Sequence, residues 1–175
     1  PVVRNKDKAG KKEMELPPGY SFENWEAPKD IYGRDQLFEP TGIAVAKDGT
    51  VVVATRTAGI WRIRNDKWTK FAEGTYECLG VWIEDDKGDQ FVVMQKPELT
   101  RIKDSNGDGR GDSFESICDD YGFHGNYHEY AHGPVRDKEG NYYFSLNLSH
   151  GGNERTSWRA GGPFMGSMGG YRGWA

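Results

Sequence analysis

The chain has 175 residues, of which 29% are charged, 35% hydrophobic and 13% aromatic, with a formal net charge of -4 at pH 7. That length carries one domain with a real core. The mild acidity excludes the basic field that holds nucleic acid, and no run of about 18 apolar residues exists to form a membrane-spanning helix.

Residues 1–36 are polar, with Pro17, Pro18 and Pro28, and a short cluster of Lys and Arg lies between positions 4 and 12. They read as an extended arm, with Tyr20, Phe22 and Trp25 as its docking side chains. The chain opens at Pro1 without Met and shows no signal-peptide pattern, which raises the expectation of a processed or truncated product.

From Gly42 the sequence repeats itself. Gly42-Ile-Ala-Val-Ala-Lys-Asp-Gly49 leads into Thr50–Thr55, Gly80-Val-Trp-Ile-Glu-Asp-Asp-Lys-Gly88 into Asp89–Gln95, and Gly133-Pro-Val-Arg-Asp-Lys-Glu-Gly140 into Asn141–Leu146. Each unit is a strand, a charged tight turn ending in Gly, and a second strand, the Gly supplying the positive φ that such hairpins need. Third strands are expected at Gly59–Ile63 and Glu98–Ile102, and fourth strands at Trp68–Phe71 and Phe114–Ile117. Glycine-rich turns between aromatic strands, four strands to a unit, predict an all-β chain built as a β-propeller. The arm would end at residue 36, and residues 37–175 would cover two and a half to three blades. Fewer than three blades cannot close a ring, so the remaining blades are expected from the same protein or from neighbouring subunits.

Spacing marks an insertion. Gly42 to Gly80 is 38 residues, close to a bare blade, whereas Gly80 to Gly133 is 53. Most of the excess is the 12-residue segment Asp104–Glu115, Asp-Ser-Asn-Gly-Asp-Gly-Arg-Gly-Asp-Ser-Phe-Glu. It matches the complete calcium-loop pattern D-x-[DN]-x-[DN]-G-x5-E. Calcium takes roughly six to eight oxygens in a flexible cage. Asp104, Asn106 and Asp108 would give side-chain oxygens, Arg110 its carbonyl, Asp112 an oxygen directly or through water, and Glu115 both of its oxygens, with Gly109 at the sharp turn. Position eight is Gly111 rather than an apolar side chain, and the residues before the loop read as a strand. The expectation is a calcium-bound insertion between strands with a structural role; the competing reading is an acidic, glycine-rich turn that binds nothing.

Four histidines, His124, His128, His132 and His150, fall within 27 residues. His128-Glu-Tyr-Ala-His132 fits the zinc-helix pattern, but Gly125, Asn126 and Gly133 oppose the helix that pattern requires. The histidines either line the mouth of a channel, where a neutral imidazole takes a proton from a substrate hydroxyl, or hold a glycine-rich segment by bonding its carbonyls. The glycine-rich stretch from His150 to Gly170 separates the third unit's second strand from an expected third at Tyr171–Trp174. Trp61 and Trp82 sit mid-strand, as packing residues; Trp158, in the long loop, is the better candidate for stacking on a sugar. Asp119 and Asp120 are adjacent in sequence, so on a strand they would point to opposite faces. Cys78 and Cys118 leave pairing open, and no C-x-x-C-H haem motif occurs.

Lys96-Pro-Glu-Leu-Thr-Arg-Ile-Lys-Asp104, the acidic loop after it, Gly125-Asn-Tyr-His-Glu129, Gly133–Leu146 and Tyr171-Arg-Gly-Trp174 resemble the sorbosone and glucose dehydrogenase-like propellers. The likeness is to the large secreted bacterial branch known as membrane-bound dehydrogenase domains, often fused to a c-type haem domain. It covers about residues 37–175. The resemblance implies a six-bladed propeller outside the cytoplasm, periplasmic or extracellular, with a c-type cytochrome domain as electron partner. In the quinoprotein relatives pyrroloquinoline quinone lies over the central channel and a His acts as base on a sugar hydroxyl. Carried over, the catalytic candidates are His128 and His132, and the cofactor-binding candidates Arg136 and Arg172. The relatives' His stands before a Gly-Arg pair, whereas here Pro134 and Val135 intervene between Gly133 and Arg136.

Three functions remain in play. The chain belongs to a quinone-dependent sugar or polyol dehydrogenase; it is a noncatalytic propeller that binds carbohydrate or protein; or it is a structural part of an extracellular assembly clasped by the 1–36 arm.

Overall fold

The computed structural model describes residues 16–21, 24–121 and 130–147. The chain divides into two units, Pro1–Gln36 and Leu37–Ala175. The described part of the first contains turns and irregular chain without helix or strand. Asp30 organises it locally: one carboxylate oxygen accepts from the Tyr32 and Arg34 amides at 2.9 and 2.8 Å, and the other from the Arg34 guanidinium.

The described part of the second unit is all-β. Its strands are β1 (Pro40–Val45), β2 (Val51–Thr55), β3 (Ile60–Arg64), β4 (Lys67–Ala72), β5 (Val81–Ile83), β6 (Gln90–Met94), β7 (Leu99–Lys103), β8 (Ser113–Cys118), β9 (Ala131–Arg136) and β10 (Tyr142–Leu146). They form antiparallel sheets of four, four and two strands, β1-β2-β3-β4, β5-β6-β7-β8 and β9-β10, each joined in simple chain order. The hairpins expected at all three glycine-anchored units are present. Their turns share one chemistry: Asp48, Asp85 and Asp137 accept the amides of Thr50, Gly88 and Asn141 at 2.8, 2.8 and 2.7 Å. Gly49, Gly88 and Gly140 take φ of 89°, 70° and 97° at those turns, where a β-carbon would strain the backbone.

The sheets stack face on face, which explains why β2 and β6 read as nearly unbroken apolar runs: both faces of each are covered. In the first seam Val52, Ala54, Ile60 and Phe71 meet Val81, Phe91, Val93 and Ile102. The Phe71 and Phe91 rings lie 5.0 Å apart at 48°. In the second seam Val92, Met94 and Leu99 pack on Ala131 and Leu146, and Tyr121 lies 5.6 Å from Phe144. Each large apolar side chain buried this way contributes about 1.5–3 kcal/mol. The far face of the first sheet is packed by a third cluster, in which Phe38, Trp61 and Trp68 meet edge to face at 5.4–6.3 Å. Trp61 is thus a packing residue, its indole N–H donating to the Ala58 carbonyl at 2.8 Å.

The first strands of the three sheets, β1, β5 and β9, run beside one another, and glycines allow it. A β-carbon on Gly42 would sit 2.7 Å from the Gly80 Cα, and one on Gly80 would collide with the Gly133 carbonyl. The three glycines that head the sequence repeats therefore meet in space, Gly42 against Gly80 and Gly80 against Gly133.

Both cysteines are free. Cys78 belongs to the first seam and Cys118 packs against the second; burial pushes the Cys78 thiol up to about 12, which makes it inert. Among the described residues no helix is long and apolar enough to cross a membrane.

Candidate functional site

The acidic loop lies between β7 and β8, so strands flank it on both sides. Its side chains fold inward onto its own backbone. The two Asp104 oxygens accept the Gly107 and Gly109 amides at 2.7 and 2.8 Å, Asn106 Oδ1 accepts the Asp108 amide at 2.8 Å, and Asp108 Oδ1 the Arg110 amide at 2.9 Å. Asp112 closes the ring, accepting the Ser105 amide and hydroxyl at 2.7 and 2.8 Å; these bonds draw its carboxyl below the usual range. Gly107 and Gly109 take φ of 79° and 90° and let the chain turn back so sharply.

This arrangement gathers Asp104, Asn106, Asp108 and Asp112 in one turn. A carboxylate oxygen has two lone pairs, so an oxygen holding one N–H can still face a cation. The donor set, three carboxylates, an amide and the Arg110 carbonyl, is all oxygen and suits a hard ion such as calcium. Glu115 stands apart from it. It lies on β8 opposite Arg101, whose Nη1 donates to it at 2.6 Å. Among the described residues no three His, Cys, Asp or Glu side chains already surround one point as a metal group. A cation here would rest first on the five loop oxygens; Glu115 holds Arg101 through one oxygen, Oε2, and would bring the other to the ion.

The loop is also tied to the neighbouring sheet. Arg62 of β3 reaches across the first seam to donate to the Gly109 carbonyl at 2.7 Å and to the Asp89 carboxylate. Its guanidinium lies 4.3 Å from the centre of the Phe71 ring. Burial, then the neighbouring Arg64, lowers the pKa of this arginine, while Asp89 pulls it upward.

The second seam carries a different polar group. Glu84, whose side chain is only 5% exposed, accepts from Arg101 at 2.6 and 3.1 Å, from Gln90 at 2.9 Å and from the Tyr142 hydroxyl. Burial alone would raise its pKa; the bonds from Arg101, Tyr142 and Gln90 overcome that and hold it at about 2. A third charged group lies where β4 leads to β5 and β6 to β7. There Lys96, 1% exposed, pairs with Glu77 and sits 4.8 Å from the Tyr130 ring centre, and Arg56 holds Glu77 at 3.0 Å. Glu77 has φ 48°.

Of the inner-strand candidates, His132 and Arg136 are described. Both lie on β9, four residues apart, about 13 Å along an extended strand. The pairing of β9 with β10 shifts register between Tyr143 and Ser145: His132 pairs with Ser145 and Arg136 with Tyr142. The two side chains consequently fall on opposite faces. His132 is exposed, its ring 6.2 Å from that of Tyr130. Arg136 is engaged elsewhere, donating to the Gly140 carbonyl at 3.1 Å, lying 3.8 Å from Glu84 and stacking over Tyr142. The structure does not bring these two together. His124, His128, His150, Trp158, Arg172 and Trp174 lie outside the described residues. Asp119 and Asp120 follow β8 as exposed residues.

No family model, no curated protein and no solved structure matches the chain.

Arg62 and Arg101, with their partners Asp89 and Glu84, are not among the residues that the sequence singles out. A signal was present: both third strands carry Arg-Ile, as Trp61-Arg62-Ile63 and Thr100-Arg101-Ile102. In each the Ile packs in a seam or cluster and the Arg carries the polar crossing.

Proposed function

We propose that residues 37–175 are successive blades of a β-propeller, six-bladed when complete, from an extracytoplasmic calcium-binding protein of the quinoprotein dehydrogenase-like type. The convergence of Gly42, Gly80 and Gly133 carries the reading of the fold. Three glycines at matching positions in consecutive units, each too close to the next for a β-carbon, fit sheets that radiate from a common line. The chain-order strands within each sheet fit the same architecture.

Calcium is assigned to loop 104–115. Asp104, Asn106, Asp108, Asp112 and the Arg110 carbonyl would hold it, and its charge would offset carboxylates that otherwise repel. An ion held this way stiffens the loop and does no chemistry. Calcium should raise the melting temperature by about 5–10 °C when present at roughly 100 times its dissociation constant. Asp104→Asn should abolish most of that shift. A melting curve that is the same in calcium and in chelator would refute the assignment.

The oxidation of a sugar or polyol with pyrroloquinoline quinone rests on the family resemblance alone. The described residues assemble no quinone site, since His132 and Arg136 point to opposite faces and Arg136 is occupied. The divergence of these two residues favours the second reading, a calcium-stiffened propeller that binds carbohydrate or protein. Titration with the quinone, followed by its absorbance, separates the two: a saturating change supports the dehydrogenase, and none supports the binding module.

A further inference from the structure

We propose that loop 104–112 latches the first seam, with Arg62 as its positioning residue, so that the loop and the β3–β4 hairpin open as one unit. The inference goes beyond the calcium reading and stands whether or not the loop holds a cation.

Three hydrogen bonds join the loop and its base to neighbouring elements, and Arg62 carries further bonds to the β5–β6 turn. Arg62 Nη2 donates to the Gly109 carbonyl at 2.7 Å, at the loop's sharpest point, while its Nη1 holds the Asp89 carboxylate and lies 3.4 Å from the Gly88 carbonyl. The Gly111 amide donates to the Phe71 carbonyl of β4 at 2.8 Å, and the Asp104 amide to the Asp89 carbonyl at 2.9 Å. Gly111 also packs hard: a β-carbon there would lie 2.7 Å from Ile102 Cγ2 and 2.9 Å from Phe71 Cε1. This explains why position eight of the loop is Gly and not the apolar side chain usual in a helix-flanked loop. The backbone itself rests on Phe71, the largest apolar side chain that the first sheet places in the seam.

Arg62 makes these contacts inseparable. Its side chain is 3% exposed and is stacked on Phe71, and its Nε–H has no acceptor. Moving the loop away would strip a second donor, leaving a buried cation with one strong partner, and would uncover Phe71 at the same time. A buried charge that loses a partner is costly, so partial opening is disfavoured relative to opening of the whole latch. Among the described residues no hydrogen bond ties β9–β10 to the loop, so the second seam should open independently.

Native-state amide hydrogen exchange at a fixed calcium concentration, across low denaturant, tests this on the unaltered protein. The amides of Gly109, Gly111 and Asp112 should share one opening free energy and denaturant slope with those of β3 and β4, distinct from β9 and β10. Arg62→Met, which keeps the packing on Phe71, should speed exchange in the loop and in β3–β4 by the same factor, at least about tenfold, and leave β9–β10 unchanged. Should that variant fail to fold, Gly111→Ala approaches from the loop side and predicts the same paired loss. Loop amides that exchange independently of β3–β4 in the unaltered protein, or that accelerate alone in either variant, would overturn the proposal. Calcium binding is followed separately in the same samples by its heat, so failure of the latch and failure of the calcium assignment give different results.

Discussion

The two seams of this protein bury similar apolar side chains but close their polar ends differently. The first uses one buried arginine that bonds a loop carbonyl and a turn carboxylate, backed by backbone bonds from a glycine-rich excursion. The second is closed chiefly by a charged side-chain group, Glu84 held by Arg101, Gln90 and Tyr142, beside one backbone bond from the Gly133 amide to the Leu79 carbonyl at 3.4 Å. The polar closure of the first therefore depends on the shape of the loop backbone, and that of the second on charge. Apolar stacking sets the contact in both cases, and the polar closure decides what can break it.

The largest effect should come where the two seams meet. Gly80 sits against Gly133, with φ of 147°, and Gly42 packs against it from the other side. Gly80→Ala should cost at least about 3–5 kcal/mol or prevent folding, whereas Gly49→Ala, in an open turn, should cost about 1 kcal/mol. Urea midpoints of the two variants measure the difference, and equal losses would mean that the close approach of the sheets is unimportant.

Phe71→Ala comes next, at about 3–5 kcal/mol. It should also loosen the loop, because Gly111 rests on that ring. Leu99→Ala, in the second seam, should cost about 2–5 kcal/mol and leave loop amide exchange unchanged.

Acid should separate the seams. The Glu84 carboxyl is held at about 2 against an ordinary value of 4.5. A carboxyl depressed on folding stabilises the protein fully above its unfolded pKa. That contribution, roughly 3 kcal/mol, drains away as pH falls from about 4.5 toward 2. Glu84→Gln should flatten the stability profile in that window, and Arg101→Met should weaken the protein by about 2–3 kcal/mol at pH 7, since Glu84 is left buried without its main partner. A variant profile that still falls as steeply as the parent's between those pH values would move the acid sensitivity to another group.

The smallest contrast lies within the loop. Asp104→Asn should weaken calcium binding at least tenfold, and Glu115→Gln only a few-fold, because Glu115 bonds Arg101 and stands outside the loop's inner ring. Calorimetric titration of both variants makes the comparison; equal losses would place Glu115 among the ligands.

Much of the architecture was legible in the chain because glycines and turn residues punctuate it. Gly42, Gly80 and Gly133 mark the close approaches, and each Asp-to-Gly turn fixes a hairpin. The loop's place between a third and a fourth strand was legible as well, from its pattern and the excess spacing. Facing was not legible. Whether Glu115 points to the loop or to Arg101 depends on the register of β8 on β7, which sets Glu115 opposite Arg101. Four-residue spacing would put His132 and Arg136 on one face of a regular strand, and the irregularity around Gly133 and Pro134 places them on opposite faces. Arg62 was invisible as a bridge because its partners, Asp89 and Gly109, lie 27 and 47 residues away. Only the stacking of sheets brings them together.

The most direct test is a crystal structure of the protein grown in calcium. Sheets should fan from a line on which Gly42, Gly80 and Gly133 meet, with a cation bound by Asp104, Asn106, Asp108 and Asp112. Sheets stacked in an open row with those glycines apart, or the loop empty in millimolar calcium, would contradict that arrangement.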